Sequence, residues 1–299
     1  MWLADGATGP TWNVIADIQQ LWSFPFMVNA FRAGTIIAVA SAVMGWFMVL
    51  RRQTFAGHTL ALVGFPGAAG ATLIGVSATY GYFAFCVGAA LVIAAIPRAG
   101  EGSYGHESAV TGTVQAFALA CGFLFIALYK GFLNGVNALL FGTFLGITDT
   151  EVVVLLVVTV VVLVVLAVIG RPLLFVSIDP VVAEARGIPV RLVSTAFLIL
   201  LGAAVAEASQ ITGTLLVFAL LVMPAAAAQT LTARPVVSLA LTVVIAVLVT
   251  WAGLSAAYYS VYPIGFFVST LAFAVYLVAQ LARGADRLRS GRARRVTAS

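Results

Sequence analysis

Two ionisable side chains stand where an apolar run would be expected to have none. His58 lies in TFAGHTLALVGFPGAAG and Glu207 in GAAVAEASQITG, each inside a stretch otherwise greasy enough to enter a bilayer. Ionisable groups are costly in hydrocarbon, so they usually face a bundle interior or a water-filled path. A neutral imidazole suits borderline metal ions, and a carboxylate offers hard oxygen to a divalent cation. The chemistry this points to is the holding or passing of a cation. Each residue also has a plainer reading. His58 lines a path, or it is a packed histidine bonded to a neighbouring helix. Glu207 reaches a cavity, or it is an interfacial carboxylate. As straight helices, His58 lies about 9 Å from Arg52 and Glu207 about 24 Å from Arg191 along their axes. They therefore suit successive stations rather than one shared site, unless a helix is broken.

The stretch holding His58 is unusual in other ways. Pro66-Gly67 reads as a helix break, and glycines at 57, 64, 67, 70 and 75 allow close backbone approach. Met223 beside Pro224 reads as packing, with Pro224 a second break. His106 and Glu107 read as solvated loop residues. Asp149 and Glu151 are either hydrated or positioned to meet a delivery protein.

The chain has 299 residues, of which 63% are hydrophobic and only 8% charged. A soluble protein of this size carries about a quarter charged residues, so lipid must cover this surface. The apolar runs are continuous rather than alternating, which excludes a β-barrel. The fold class is all-α: a polytopic membrane protein of about nine transmembrane helices, a re-entrant segment and a cytoplasmic coupling helix.

The expected spans are 34–50, 55–78, 82–96, 109–129, 152–169, 192–208, 214–231, 236–258 and 264–281. The segment LNGVNALLFGTFLGITDTE at 133–151 reads as re-entrant, and 12–22 as an interfacial helix. The net charge of +5 sits at span ends and in the tail, which is the positive-inside pattern rather than a nucleic-acid footprint. That pattern places residues 1–24 outside and 25–282 in the membrane, with 171–191 and the basic tail 283–299 in the cytoplasm. No basic region precedes the first apolar run, so a cleavable signal peptide is not expected.

Cys86 and Cys121 form no paired motif and read as small buried hydrophobes. The only lysine, Lys130, sits in LYKGF, which is no phosphate loop. With no zinc-hydrolase motif either, no catalytic residue is assigned.

Three stretches together resemble the ZnuB-like membrane permeases of bacterial zinc and manganese ABC importers. VLRRQTFAGHTLALVGFPGAA is similar to that family's basic pair, G-D-A-x-S-H and L-P-G. LLFVSIDPVVAEARGIPV is close to its F-D-P-x-x-A-x-x-x-G-x-P segment. GTLLVFALLVMPAAAAQTL is similar to its G-T-L-L-x-x-A-L-L-x-x-P-A-A-T-A run. The resemblance covers about residues 25–282. It departs in one place: His58 occupies the family's aspartate position and Leu62 its histidine position. Losing the carboxylate leans the expected cargo toward zinc.

The resemblance implies a plasma-membrane permease, working as a homodimer, with a transported metal and no resident cofactor. Its partners would be an ATP-hydrolysing subunit and an extracytoplasmic metal-binding protein. It also implies that the segment holding Asp179, Pro180, Glu184, Gly187 and Pro189 couples to the ATPase. Asp179 reads as a helix cap, Pro180 as the first helical residue and Gly187 as the stop. A self-sufficient secondary transporter is the main rival, and the shortage of mid-span acids counts against it. An intramembrane enzyme would need catalytic groups at matched depth, and a permease for a metal chelate would need a wider cavity.

Overall fold

The computed structural model describes residues 20–95, 104–129, 142, 146–260 and 262–296. Among them are ten helices and no strand. These are α1 (Pro25–Leu50), α2 (Thr54–Leu73), α3 (Ala78–Ala95), α4 (Tyr104–Leu128) and α5 (Asp149–Ile178). There follow α6 (Pro180–Ala185), α7 (Val190–Thr212), α8 (Thr214–Leu231), α9 (Pro235–Tyr258) and α10 (Ile264–Val296).

Nine crossings are expected from the sequence. By length and composition, 7 helices qualify among the described residues. The two long helices outside that set are α2, whose glycines and His58 lower its hydropathy, and α8. The expected interfacial helix lies outside the described residues except for 20–22, and the expected re-entrant segment except for 142 and 146–151.

Helices α1 and α7 form the centre. α1 packs on α5, α7, α8 and α9, while α7 packs on α3, α5, α2 and α8. Helix α2 lies between α3 and α4, and α10 backs onto α8 and α9. On α5, Val157, Val161, Val164 and Val168 are exposed, an apolar face suited to lipid.

Close approach explains several glycines. A methyl group at Gly67 would strike the Gly81 carbonyl, and one at Gly81 would strike the Gly67 carbonyl. Gly45 has the same relation to the carbonyl of Leu221. In lipid, helices associate through such contacts because no hydrophobic gain is available between them.

The structure corrects several expectations. Helices α2 and α8 run through Pro66 and Pro224 without a break. A membrane helix tolerates proline because neighbouring helices and local adjustment accommodate the lost bond. Pro66 and Gly67 serve packing instead: a methyl group at Gly122 of α4 would come 2.9 Å from Pro66 Cβ. Helix α5 does not stop at Arg171-Pro172 but continues to Ile178, which shortens the inter-helix segment. His106 and Glu107 fall in the first turn of α4 rather than in a loop. The last helix continues from the apolar span to Val296, with no break at 282.

Candidate functional site

On the first half of α2, Thr54, His58 and Leu62 recur every fourth residue and are each half-buried, while Ala61, Val63 and Gly64 are buried. One face of the helix is thus left incompletely covered within this chain. The His58 ring lies against Phe218 of α8, with centroids 4.6 Å apart. Its Nδ1 is buried and has no hydrogen-bond partner among the described residues. Two more buried polar atoms share that condition, Ser209 Oγ near the end of α7 and Thr214 Oγ1 at the start of α8. Thr214 and Phe218 are four residues apart on α8 and share a face.

A single residue, Gly213, caps both α7 and α8, with φ of 76°. That left-handed backbone suits glycine and lets the two helices meet with no loop between them.

Glu207 is buried and accepts a 3.3 Å hydrogen bond from Gln210 Nε2. Its neighbour Ala206 packs with Ala68, Tyr82 and Cys86. Ala68 stands ten residues beyond His58 on α2, about 15 Å along the axis. Among the described residues, no group of three or more His, Cys, Asp or Glu is placed to hold a metal. His58 and Glu207 therefore belong to no such group. Met223 packs against the core. Cys86 is buried, its Sγ 3.3 Å from the Leu60 carbonyl, and Cys121 is a free thiol.

At the end of the bundle carrying α6, Asp179 caps that 6-residue helix and accepts a 3.0 Å bond from Val182 N–H. Pro180 is its first residue, and Gly187 ends the segment at φ 80°. The Gly187 and Ile188 N–H groups donate back to the Glu184 and Ala183 carbonyls. Pro189 then caps α7. Glu184 is exposed, as are the apolar side chains of Ile178, Val181 and Val182, Val181 at 71%. A short rigid helix with apolar side chains facing outward is suited to a groove on a partner.

The α1–α2 corner faces this segment. Arg51 donates from Nε to Gln53 Oε1 at 3.0 Å, from Nη1 to Ser177 Oγ at 3.2 Å and from Nη2 to Ser194 Oγ at 2.8 Å. A cavity of about 460 Å³ adjoins it, lined by Arg51, Arg52, Gln53, Ser177, Pro180 and Ser194 among others. From the sequence, Arg51 enters only as one of the span-end basic residues and as part of the basic pair in VLRRQTFAGH. Two of its partners, Ser177 and Ser194, lie 126 and 143 residues away, and no local pattern announces them. Phe218 was missed for the same reason. The Thr148–Glu151 capping box at the start of α5 was legible as T-x-x-E.

At the other end, Glu151 is engaged in that cap, and exposed Asp149 lies 3.9 Å from Arg32 of α1.

Apolar helices surrounding sparse buried polar groups, 7 of them long and apolar enough to cross a membrane among the described residues, define a multi-pass α-helical membrane protein. The ABC 3 transport family model matches residues 23–283, and the chain belongs to this family of permeases. It is 31% identical over 251 residues to the manganese transport system membrane protein MntC of Halalkalibacterium halodurans, covering 83% of each chain. It is 30% identical to the manganese import system permease protein ScaB of Streptococcus gordonii, over 71% of this chain and 74% of that one. The chelated iron transport system membrane protein YfeC of Yersinia pestis is 29% identical, over 73% and 72%. Among solved structures, PsaBC from Streptococcus pneumoniae in complex with Fab shares the fold, with a TM-score of 0.78 and 24% identity. That match covers 89% of this chain and 95% of that one.

Proposed function

We propose that this chain is the permease subunit of an ATP-binding-cassette importer for a divalent transition-metal ion in a bacterial plasma membrane. The observation that carries this reading is α6, a capped helix with outward apolar side chains, in a chain whose relatives are named for metal import. An ATPase subunit docks on Asp179, Pro180, Glu184, Gly187 and Pro189. Two permease copies enclose the path, an extracytoplasmic metal-binding protein delivers the ion, and lipid covers faces such as that of α5. The C-terminus lies in the cytoplasm.

His58 and Glu207 act as successive stations, with ATP binding switching the path between outward-open and inward-open states. Each station holds the ion weakly, because a tight site would stall release.

The three relatives named above point to manganese or chelated iron, and none of their names supports the zinc expected from the sequence. Zinc stays as a second reading on one observation: the helix face of α2 that holds positions 58 and 62 offers an imidazole and a leucine, with no carboxylate. Manganese favours oxygen ligands, whereas zinc accepts imidazole readily. Uptake by a deletion strain, with manganese, zinc and iron supplied separately, tests both. Loss of manganese uptake alone supports the relatives' cargo, and loss of zinc uptake alone supports the imidazole argument. Unchanged uptake of all three overturns the importer reading.

A further inference from the structure

Arg51 belongs to none of the functions above, yet it touches every element that flanks the coupling helix. It follows the last residue of α1, and its guanidinium lies over the Phe197 ring of α7 at 5.4 Å. Ser177 is on α5, two residues before Asp179, and Ser194 is on α7, five residues after Pro189. Gln53 leads directly into α2. One side chain therefore holds the helix entering α6, the helix leaving it, and the corner from which the His58 helix starts.

Open space adjoins that corner. The cavity beside Arg51 is walled by Ser177, Ile178 and Pro180 on one side and by Leu50, Arg52 and Gln53 on the other. Arg52 turns the chain from α1 to α2 in the left-handed region, at φ 56°. Beyond it α2 is continuous to Leu73, and His58 lies five residues past Gln53, about 7 Å along the axis. A shift of the first turn would carry His58 with it.

We propose that Arg51 is the positioning residue that transmits displacement of α6 to the His58 helix, so that ATPase movement changes the path. This rests on the reading that α6 receives the ATPase. Arginine suits the role because its rigid planar fork directs separate N–H groups at separate acceptors, whereas lysine is a compact point charge on a flexible stem.

The test uses the complete importer, permease with its ATPase and binding protein, in proteoliposomes. ATP hydrolysis and manganese, zinc and iron transport are measured together. For Arg51→Lys, ions moved per ATP should fall about tenfold, as charge-assisted bonds are lost, while hydrolysis stays within about twofold. Ser194→Ala, which removes one acceptor, should lower the same ratio about threefold. An unchanged ratio in Arg51→Lys overturns the proposal, as does a parallel fall in hydrolysis and transport, the mark of a merely structural role. If Arg51→Lys does not assemble, Ser194→Ala decides: a lowered ratio supports transmission, and a wild-type ratio overturns it. Wild-type importer that hydrolyses ATP but moves none of the three metals overturns the importer reading itself, and the transmission role with it.

Discussion

At the end carrying α6, one guanidinium reaches three side-chain acceptors on α5, α7 and the α1–α2 corner. Around His58, Ser209 and Thr214, three buried polar atoms reach no partner among the described residues. The first arrangement offsets the desolvation of its polar groups with bonds that also fix geometry. In the second, a buried polar group that stays unpartnered costs about 1–3 kcal/mol. A bundle selected for stability alone would have replaced those groups with apolar ones of similar shape. On the proposed function, open polar groups on α2, α7 and α8 suit a weakly binding path, and the bonded corner suits the transmission proposed for Arg51.

Substitutions can break or sharpen that contrast. The largest effect is expected at Gly67, where α2 meets the Gly81 carbonyl of α3. Gly67→Val forces two backbones apart and should cost about 3 kcal/mol, read as loss of monodisperse permease in detergent. His58→Ala comes next. It should lower metal uptake about tenfold, the equivalent of about 1.4 kcal/mol, with membrane abundance unchanged. Uptake at the wild-type rate would remove His58 from the path and leave it a packed ring beside Phe218.

Thr214→Val probes the open region from the side of stability. It removes an unpartnered hydroxyl at nearly constant volume, so the thermal midpoint in detergent should rise, reflecting about 1 kcal/mol. A fall would mean that the hydroxyl is bonded in solution and that the contrast is false. The smallest effect belongs to Arg52→Gly. Relief of the left-handed backbone, about 1–2 kcal/mol, is opposed by the greater chain entropy of glycine, about 0.5–1 kcal/mol. The midpoint should move upward only slightly.

Much of the architecture was legible because it depends on local patterns. Asp179-Pro180 and Gly187 announced a capped helix, and the helix is there with those residues in those places. The span at 214–231 matched α8 in full. Proline misled, since Pro66, Pro172 and Pro224 all lie inside continuous helices. In water a proline usually ends a helix, whereas a crowded bundle in lipid holds the helix together around it. The candidate site was less legible. His58 and Glu207 stood out as ionisable residues in apolar runs, but Phe218, Ser177 and Ser194 are ordinary residues whose importance comes from what they touch.

The membrane class, the approximate spans, the capped helix α6 and the family followed from residue types and short spacings, because hydropathy, helix caps and motifs are read over a few turns. Which faces meet was decided only by the tertiary structure. The ring contact of His58 with Phe218, the single-residue joint at Gly213 and the reach of Arg51 across 126 and 143 residues all depend on how distant helices pack. In lipid that packing is set by shape and by the pairing of scarce polar groups, neither of which a linear pattern encodes.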